Sequence, residues 1–203
     1  MTIREGKLIY HLTTMDVFES IVQNKLLSRK DLNSLQLGFV DTADPEILHE
    51  RKRLSLEGCI PFHFHIHTSY DTYVKDNNKD KVFIYLCVHR NYAAEHNFLV
   101  LPIHPVASEQ PKIYSYDEGI DEIDWEIMEL NKEEATIQGV EERYRRQVRM
   151  AECLSPEAIP IENIFSICVP DESIKMEVNR ILLRNGINKW PYIDVRPYMF
   201  NTK

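Results

Sequence analysis

Short apolar runs alternate with polar, turn-rich stretches along the chain, and their periods predict a mixed set of elements. Leu8 to Leu12 reads as a short strand. Thr13 or Thr14 then caps a helix to about Asn24, because a hydroxyl can accept from the free N–H groups of a first helical turn. Val17, Phe18, Ile21 and Val22 give that helix an apolar face. Ser28 to Asp44 is polar and irregular. Asp44-Pro45-Glu46 has the form of a helix start, with Asp at the cap and Pro at the first helical position. That helix would carry Ile47, Leu48 and Arg51, with Arg53 at its end.

Ile60 to His67 alternates apolar and imidazole side chains as a strand does. Val82 to Val88 is a near-continuous apolar run suited to a central strand, and Phe98 to Leu101 is another strand. Pro102 to Gly119 holds three prolines and a glycine and reads as a long loop. Asp121 to Leu130 is helical in pattern, with Ile123, Ile127 and Leu130 on one side and Trp125 elsewhere. Glu133 to Arg149 is highly charged, partly helical and a candidate flexible segment. Met150 to Leu154, Ile164 to Val169 and Tyr192 to Val195 read as strands. Asp171 to Asn185 is the clearest helix: Asp171 or Ser173 caps it, Ile174, Val178, Ile181 and Leu182 line one face, and Gly186 suits the position just past its end. With no internal repeat and no linker, the order predicts a single α+β domain over residues 1–203, built on a mostly antiparallel sheet.

Composition narrows this. A chain of 203 residues, 43% hydrophobic and 28% charged, is long enough for a sizeable core and too apolar for a disordered one. No apolar run is long enough to cross a bilayer, and the first residues lack the apolar stretch of a signal peptide, so a cytoplasmic location is expected. Cys59, Cys87, Cys153 and Cys168 are widely spaced, which argues against a disulfide or a zinc knuckle. The net charge of -8 argues against a protein that coats nucleic acid nonspecifically, but leaves room for an enzyme with one basic groove. The basic clusters at 51–53 and 143–149 are either solvated helix faces or the lining of such a groove.

The candidate chemistry lies in a few places. On one continuous strand, His63, His65 and His67 would share a face about 6–7 Å apart, a spacing at which two imidazoles can hold one metal ion. The alternative is that they are polar residues lining a cleft or facing solvent, as His-x-His pairs in strands often bind nothing. Glu152 follows the arginine run Arg143, Arg145, Arg146 and Arg149 and starts an apolar stretch. Facing solvent it would only offset the arginines; facing a cleft it would suit an enzyme that handles a polyanion. His11, at the end of a strand, is either a satisfied structural residue or a partner for a ribose hydroxyl, with neighbouring backbone groups reading a carboxamide. No Gly-x-Gly-x-x-Gly, Walker or Gly-x-Ser-x-Gly sequence is present, so an NAD site here would not be a Rossmann site.

Five segments in order resemble the DarT-type toxins, which use NAD to ADP-ribosylate DNA bases. Tyr10-His11-Leu12-Thr13, an amphipathic helix and Lys25-Leu26-Leu27-Ser28 are similar to the family's opening. Ile47 to Arg53 is similar to its charged helix bearing an essential arginine, and Ile60-Pro61-Phe62-His63-Phe64 to its Val-Pro-Phe-Tyr-Phe strand. Tyr116 to Trp125 resembles an acidic segment ending in Leu-Asp-Trp, and Arg149 to Leu154 the strand with the catalytic glutamate. The resemblance spans nearly the whole chain. It departs after Phe64, where the family continues Pro-Arg-Ser-Pro-Met and this chain reads His65-Ile66-His67-Thr68-Ser69-Tyr70.

The resemblance implies an ADP-ribosyltransferase-like fold, a split, mostly antiparallel sheet with flanking helices and NAD in the cleft. It implies NAD contacts from His11, Leu12, Thr13, Ser20, Leu27 and Arg51, with Arg51 and Glu152 as the catalytic pair and Lys52 or Arg53 as neighbouring choices for the arginine. Residues from about Ser28 to Arg53 would fold over NAD, and those from about Pro111 to Glu152 would present the base. Arg143, Arg145, Arg146 and Arg149 would hold the phosphates of single-stranded DNA, since a paired base hides its reactive atoms. A macrodomain antitoxin is the implied partner. Two other readings stand beside this one: a metal-dependent hydrolase built on His63, His65 and His67, and a non-catalytic nucleotide-binding member of the same fold, which the departure after Phe64 would suit.

Overall fold

The computed structural model describes residues 2–37, 45–107 and 111–201. Among them, eight strands form one sheet: β1 (Leu8–Thr14), β2 (Ile60–His63), β3 (Phe83–His89), β4 (Leu99–Leu101), β5 (Tyr114–Ser115), β6 (Glu152–Ser155), β7 (Ser166–Val169) and β8 (Tyr192–Val195). Their order is β5-β4-β6-β2-β1-β3-β7-β8. Every pairing is antiparallel except β7 with β8.

The sheet is split at its middle. β1 pairs with β3 along its whole length, from Leu8↔His89 to Thr14↔Phe83. β1 and β2 share the single register pair Tyr10↔His63. Beyond that pair the two halves diverge and leave an open edge on each of β1 and β2. Alternation along β1 sorts its side chains between the faces. Ile9 enters the main core with Leu86, Val88 and Phe62. Leu8, Tyr10 and Leu12 pack on the opposite face against Tyr85, Cys87 and Met199.

Among the described residues, ten α-helices flank the sheet: α1 (Met15–Asn24), α2 (Arg29–Ser34), α3 (Pro45–Arg53), α4 (Ser69–Asn77), α5 (Arg90–Glu95), α6 (Tyr116–Glu122), α7 (Trp125–Glu129), α8 (Lys132–Ile137), α9 (Glu142–Val148) and α10 (Glu172–Arg184). α10 matches its sequence pattern closely: the Asp171 side chain accepts from Ile174 N, Val178, Ile181 and Leu182 are buried, and Gly186 has φ +69. α1 starts where expected, but the Thr14 hydroxyl makes no capping bond. α3 begins at Pro45, and its expected cap, Asp44, lies outside the described residues.

Several expectations are corrected. Ser28 to Asp44 is not all irregular: Ser28 caps α2 by accepting from Asp31 N. The long loop from Pro102 contains β5 and most of α6. The helix expected over 121–130 breaks at Ile123, and Trp125 points inward, edge-on to Phe64. The strand expected to reach His67 ends at His63. His65 turns inward, its Nε2 bonding the Arg149 carbonyl at 3.0 Å and its Nδ1 lying against the Ile66 carbonyl and Arg149 Nη2. His67 takes φ 61 and is exposed. The three imidazoles therefore do not share a strand face, and among the described residues no group of His, Cys, Asp and Glu is arranged to hold a metal ion. No helix is long and apolar enough to cross a membrane among those residues.

Arg90 fastens the region around the split. Its guanidinium donates to the carbonyls of Ile3 and Arg4, each at 2.8 Å, and of Leu8 and Phe64, each at 3.3 Å. It also lies over the rings of Phe64 and Trp125. Arg90→Met keeps the stem but leaves those carbonyls without their donor. It should lower stability by about 3 kcal/mol, read as a shift in the urea midpoint.

His65 predicts an acid-side dependence. Burial, with Arg149 adding to it, pushes this imidazole down to about 3, against 6.5 when unperturbed. Between those values the unfolded chain binds a proton that the folded chain does not, so stability falls as pH is lowered through this window. His65→Gln should flatten the slope of unfolding free energy against pH there, by up to about 1.4 kcal/mol per pH unit. Urea titrations from pH 6.5 to 3.5 check this, and an unchanged slope would refute it.

Candidate active site

The open edges of β1 and β2 form the wall of a cleft of about 450 Å³. β1 contributes His11, Leu12, Thr13 and Thr14; α1 and the turn after it contribute Ser20, Lys25 and Leu27; α2 and α3 contribute Arg29, Asn33 and Arg51. β6 supplies Glu152 from the other half-sheet. Each NAD-contact residue expected from sequence lies in this one lining.

The His11 imidazole bridges the split. Its Nδ1 donates to the Pro61 carbonyl at 2.8 Å, a side-chain bond from β1 to β2 where the backbone ladder has stopped. Burial holds its pKa below the ordinary value, and the bond to Pro61 opposes that only in part. A neutral ring with its proton on Nδ1 has Nε2 as an acceptor, which suits a ribose hydroxyl.

Glu152 sits on β6 between Leu101 of β4 and His63 of β2. It is buried, yet it lines the cleft. Arg51 Nη1 donates to Glu152 Oε2 at 2.5 Å, and the side chains are 11% and 6% exposed. Arg51 Nη2 donates to the carbonyls of Leu56 and Cys59, each at 3.3 Å. The guanidinium is thus fixed by three acceptors, one of them a Glu152 carboxylate oxygen. Arg53, the alternative arginine, pairs with Glu50 on the surface. His63 adjoins Glu152, with its Nδ1 donating to the Ala151 carbonyl.

A second cleft, of about 490 Å³, shares Tyr70, His104 and Met150 with the first. Tyr73, Arg143, Arg146 and Gln147 also line it. Burial keeps the His104 pKa below its ordinary value, with Glu152 opposing. Of the four arginines expected to hold DNA, only Arg143 and Arg146 reach this lining. Arg145 is tied to Glu142 and to the Leu130 carbonyl at 3.1 Å. Arg149 turns inward and donates to the Met128 carbonyl at 2.6 Å. These two brace α9 against α7 instead of presenting charge to solvent.

Sequence reading missed His104, Tyr70, Asp71, Lys25 and Arg29 as cleft residues. Thr68-x-x-Asp71 was a readable signal, since a capping box places its acid at a fixed point of the first turn. The others carry no local pattern. Within the described residues, two buried side-chain polar atoms have no hydrogen-bond partner, Thr14 Oγ1 and Asp71 Oδ1. Both residues line the first cleft.

A family model described as ssDNA thymidine ADP-ribosyltransferase, DarT, matches residues 10–201. A comparison with curated proteins finds no match. Among solved structures, Thermus sp. 2.9 DarT in complex with ADP-ribosylated ssDNA is similar at 20% identity, with 99% of each chain covered and a TM-score of 0.78. The same Thermus protein in complex with NAD+ is similar at 19% identity, covering 97% of this chain and 98% of that one, with a TM-score of 0.73. Thermosipho africanus DarTG in complex with ADP-ribose is matched over 96% of this chain and 51% of its own, at 19% identity and a TM-score of 0.68. The likeness to these structures extends over the split sheet and its flanking helices, and with the family model spanning nearly the whole sequence, this chain belongs to the DarT family of ssDNA thymidine ADP-ribosyltransferases.

Proposed function

We propose that this chain is one catalytic domain that transfers ADP-ribose from NAD to a thymidine base of single-stranded DNA. In this reading it works in the cytoplasm as the toxin of a toxin–antitoxin pair. The observation that carries the proposal is the buried Arg51–Glu152 pair facing a cleft that also contains His11, Leu12, Thr13, Ser20 and Leu27. Family membership supports the substrate class. The match to half of the longer Thermosipho DarTG chain supports a partner, which we take to be a macrodomain that removes the modification.

The geometry suits the chemistry. When the nicotinamide–ribose bond breaks, both bonding electrons leave with nicotinamide, and positive charge develops on the ribose C1 and ring oxygen. Glu152 stabilises that charge, and Arg51 positions it to do so. The Nε2 of His11 accepts from a ribose hydroxyl, while Lys25 and Arg29 bring positive charge to the pyrophosphate. The N3–H of thymine then gives its proton to the Glu152 carboxylate, and the electron pair left on N3 forms the new bond to C1. The base enters through the second cleft, past Tyr70 and His104. Exposed Tyr73 offers a stacking face, and Arg143 and Arg146 offer charge to the phosphates.

Truncating Glu152 to alanine would leave Arg51 buried without its partner, so Glu152→Gln is the better test. With labelled NAD and thymidine-containing oligonucleotides, the native chain should add one ADP-ribose by mass. Glu152→Gln should cut the rate at least about 100-fold with little change in thermal midpoint. Labelling that persists in this variant, or that occurs on oligonucleotides without thymidine, would sink the reading.

Replacing both Arg143 and Arg146 by alanine should raise the oligonucleotide KM and flatten its salt dependence by about one to two contacts, without altering NAD binding. Fluorescence anisotropy with a labelled oligonucleotide across a salt series measures this, and an unchanged slope would remove the second cleft from the DNA path.

A further inference from the structure

The two unpartnered buried polar atoms, Thr14 Oγ1 and Asp71 Oδ1, belong to residues that line the same cleft. Leu12↔Tyr85 and Thr14↔Phe83 are register pairs of β1 and β3, so these four side chains share a face. The Tyr85 hydroxyl donates to Asp71 Oδ2 at 2.9 Å, which sets the Asp71 carboxylate over that face.

Asp71 is held tightly on its other side. Oδ2 also accepts from Thr68 N, and Asp71 N donates to the Thr68 hydroxyl, closing the capping box of α4. Lys75 Nζ braces the Tyr85 hydroxyl at 3.0 Å and donates to the Met199 carbonyl at 2.8 Å. One carboxylate oxygen is therefore fully used, while its twin is 1% exposed by residue and free. Val17, Val74 and Phe83 supply an apolar lining around the pair. One of the free atoms is an acceptor and the other a hydroxyl, and a primary carboxamide on an aromatic ring carries the complementary N–H donor and carbonyl acceptor.

We propose that Asp71 and Thr14 form the pocket that selects the nicotinamide end of the donor: Asp71 Oδ1 accepts the carboxamide N–H, and the Thr14 hydroxyl donates to the carboxamide oxygen. This rests on the NAD reading above. Asp71 thereby sets donor specificity. A donor with a carboxylate in place of the carboxamide meets the Asp71 carboxylate with like charge and no N–H to give.

Asp71→Asn separates this role from a structural one. The amide oxygen can keep the bonds from Thr68 N and Tyr85, while the amide nitrogen replaces Oδ1 and presents donors to the cleft. Calorimetry without DNA, using NAD, nicotinic acid adenine dinucleotide and free nicotinamide, gives the readout. The native chain should prefer NAD over the acid analogue by at least about 100-fold. Asp71→Asn should move that ratio at least about tenfold towards the acid. Thr14→Val should weaken NAD and nicotinamide at least about fivefold while the ligand-free thermal midpoint holds or rises, because an unpartnered hydroxyl is removed. NAD bound with a ratio unmoved by Asp71→Asn, or with an affinity untouched by Thr14→Val, would overturn the pocket and leave the NAD reading standing. Failure of the native chain to bind any of the three would overturn the NAD reading itself.

Discussion

Everything at the site depends on two neighbouring strands that stop pairing. After Tyr10↔His63, β1 and β2 have no further register pair, and the sheet opens along both edges. An interior strand edge normally pairs, because an unpaired buried N–H or C=O costs about as much as a lost hydrogen bond. Here part of that demand is met by side chains. His11 reaches across to the Pro61 carbonyl, and Arg90 takes the carbonyls of Leu8 and Phe64 on either side of the split. The cleft is thus built into the sheet, with walls as rigid as the strands, and its floor carries functional side chains without a mobile loop having to supply them.

The same logic explains the buried charges. An ion pair between side chains 11% and 6% exposed gives up much hydration and is weak evidence for stability. Arg51 makes three bonds to acceptors, which suits a group whose position matters more than its contribution to folding. The unpartnered oxygens of Thr14 and Asp71 point the same way: each costs about 1–3 kcal/mol while it has no partner. Cost of this kind, concentrated in one cleft, is what a site tuned to a polar ligand shows before the ligand arrives.

The sequence made the scaffold legible where packing imposes a period. β3 and α10 are buried along one side or throughout, so their apolar spacing survives in the chain and their bounds fall within a residue or two of expectation. The short helices were not legible. α4 and α5 have nine and six residues, and helices that short owe their stability to capping and tertiary contacts rather than to a repeating apolar face. The His63–His67 alternation misled because it continued past His63, where β2 ends and the Phe64 carbonyl and the His65 ring bond to Arg90 and to the Arg149 carbonyl instead. At the site, Arg51 and Glu152 lie 101 positions apart. No local pattern joins them, and only likeness to a family paired them in advance. In the arginine run, Glu142 lies three and four residues before Arg145 and Arg146 and pairs with both, burying the first while the second stays exposed at the second cleft.

The departure after Phe64 reads differently once its surroundings are known. Where the family continues Pro-Arg-Ser-Pro-Met, this chain has a capped helix whose acid, Asp71, is bonded through Tyr85 to Lys75 and the Met199 carbonyl near the C-terminus. That is a coherent rebuilding, since in this segment Asp71 Oδ1 is the one buried side-chain polar atom without a partner among the described residues. Here the losses are compensated, and the free oxygen belongs to a residue lining the cleft. The departure after Phe64 thus lies at one end of the cleft, and the buried Arg51–Glu152 pair lies in the same lining.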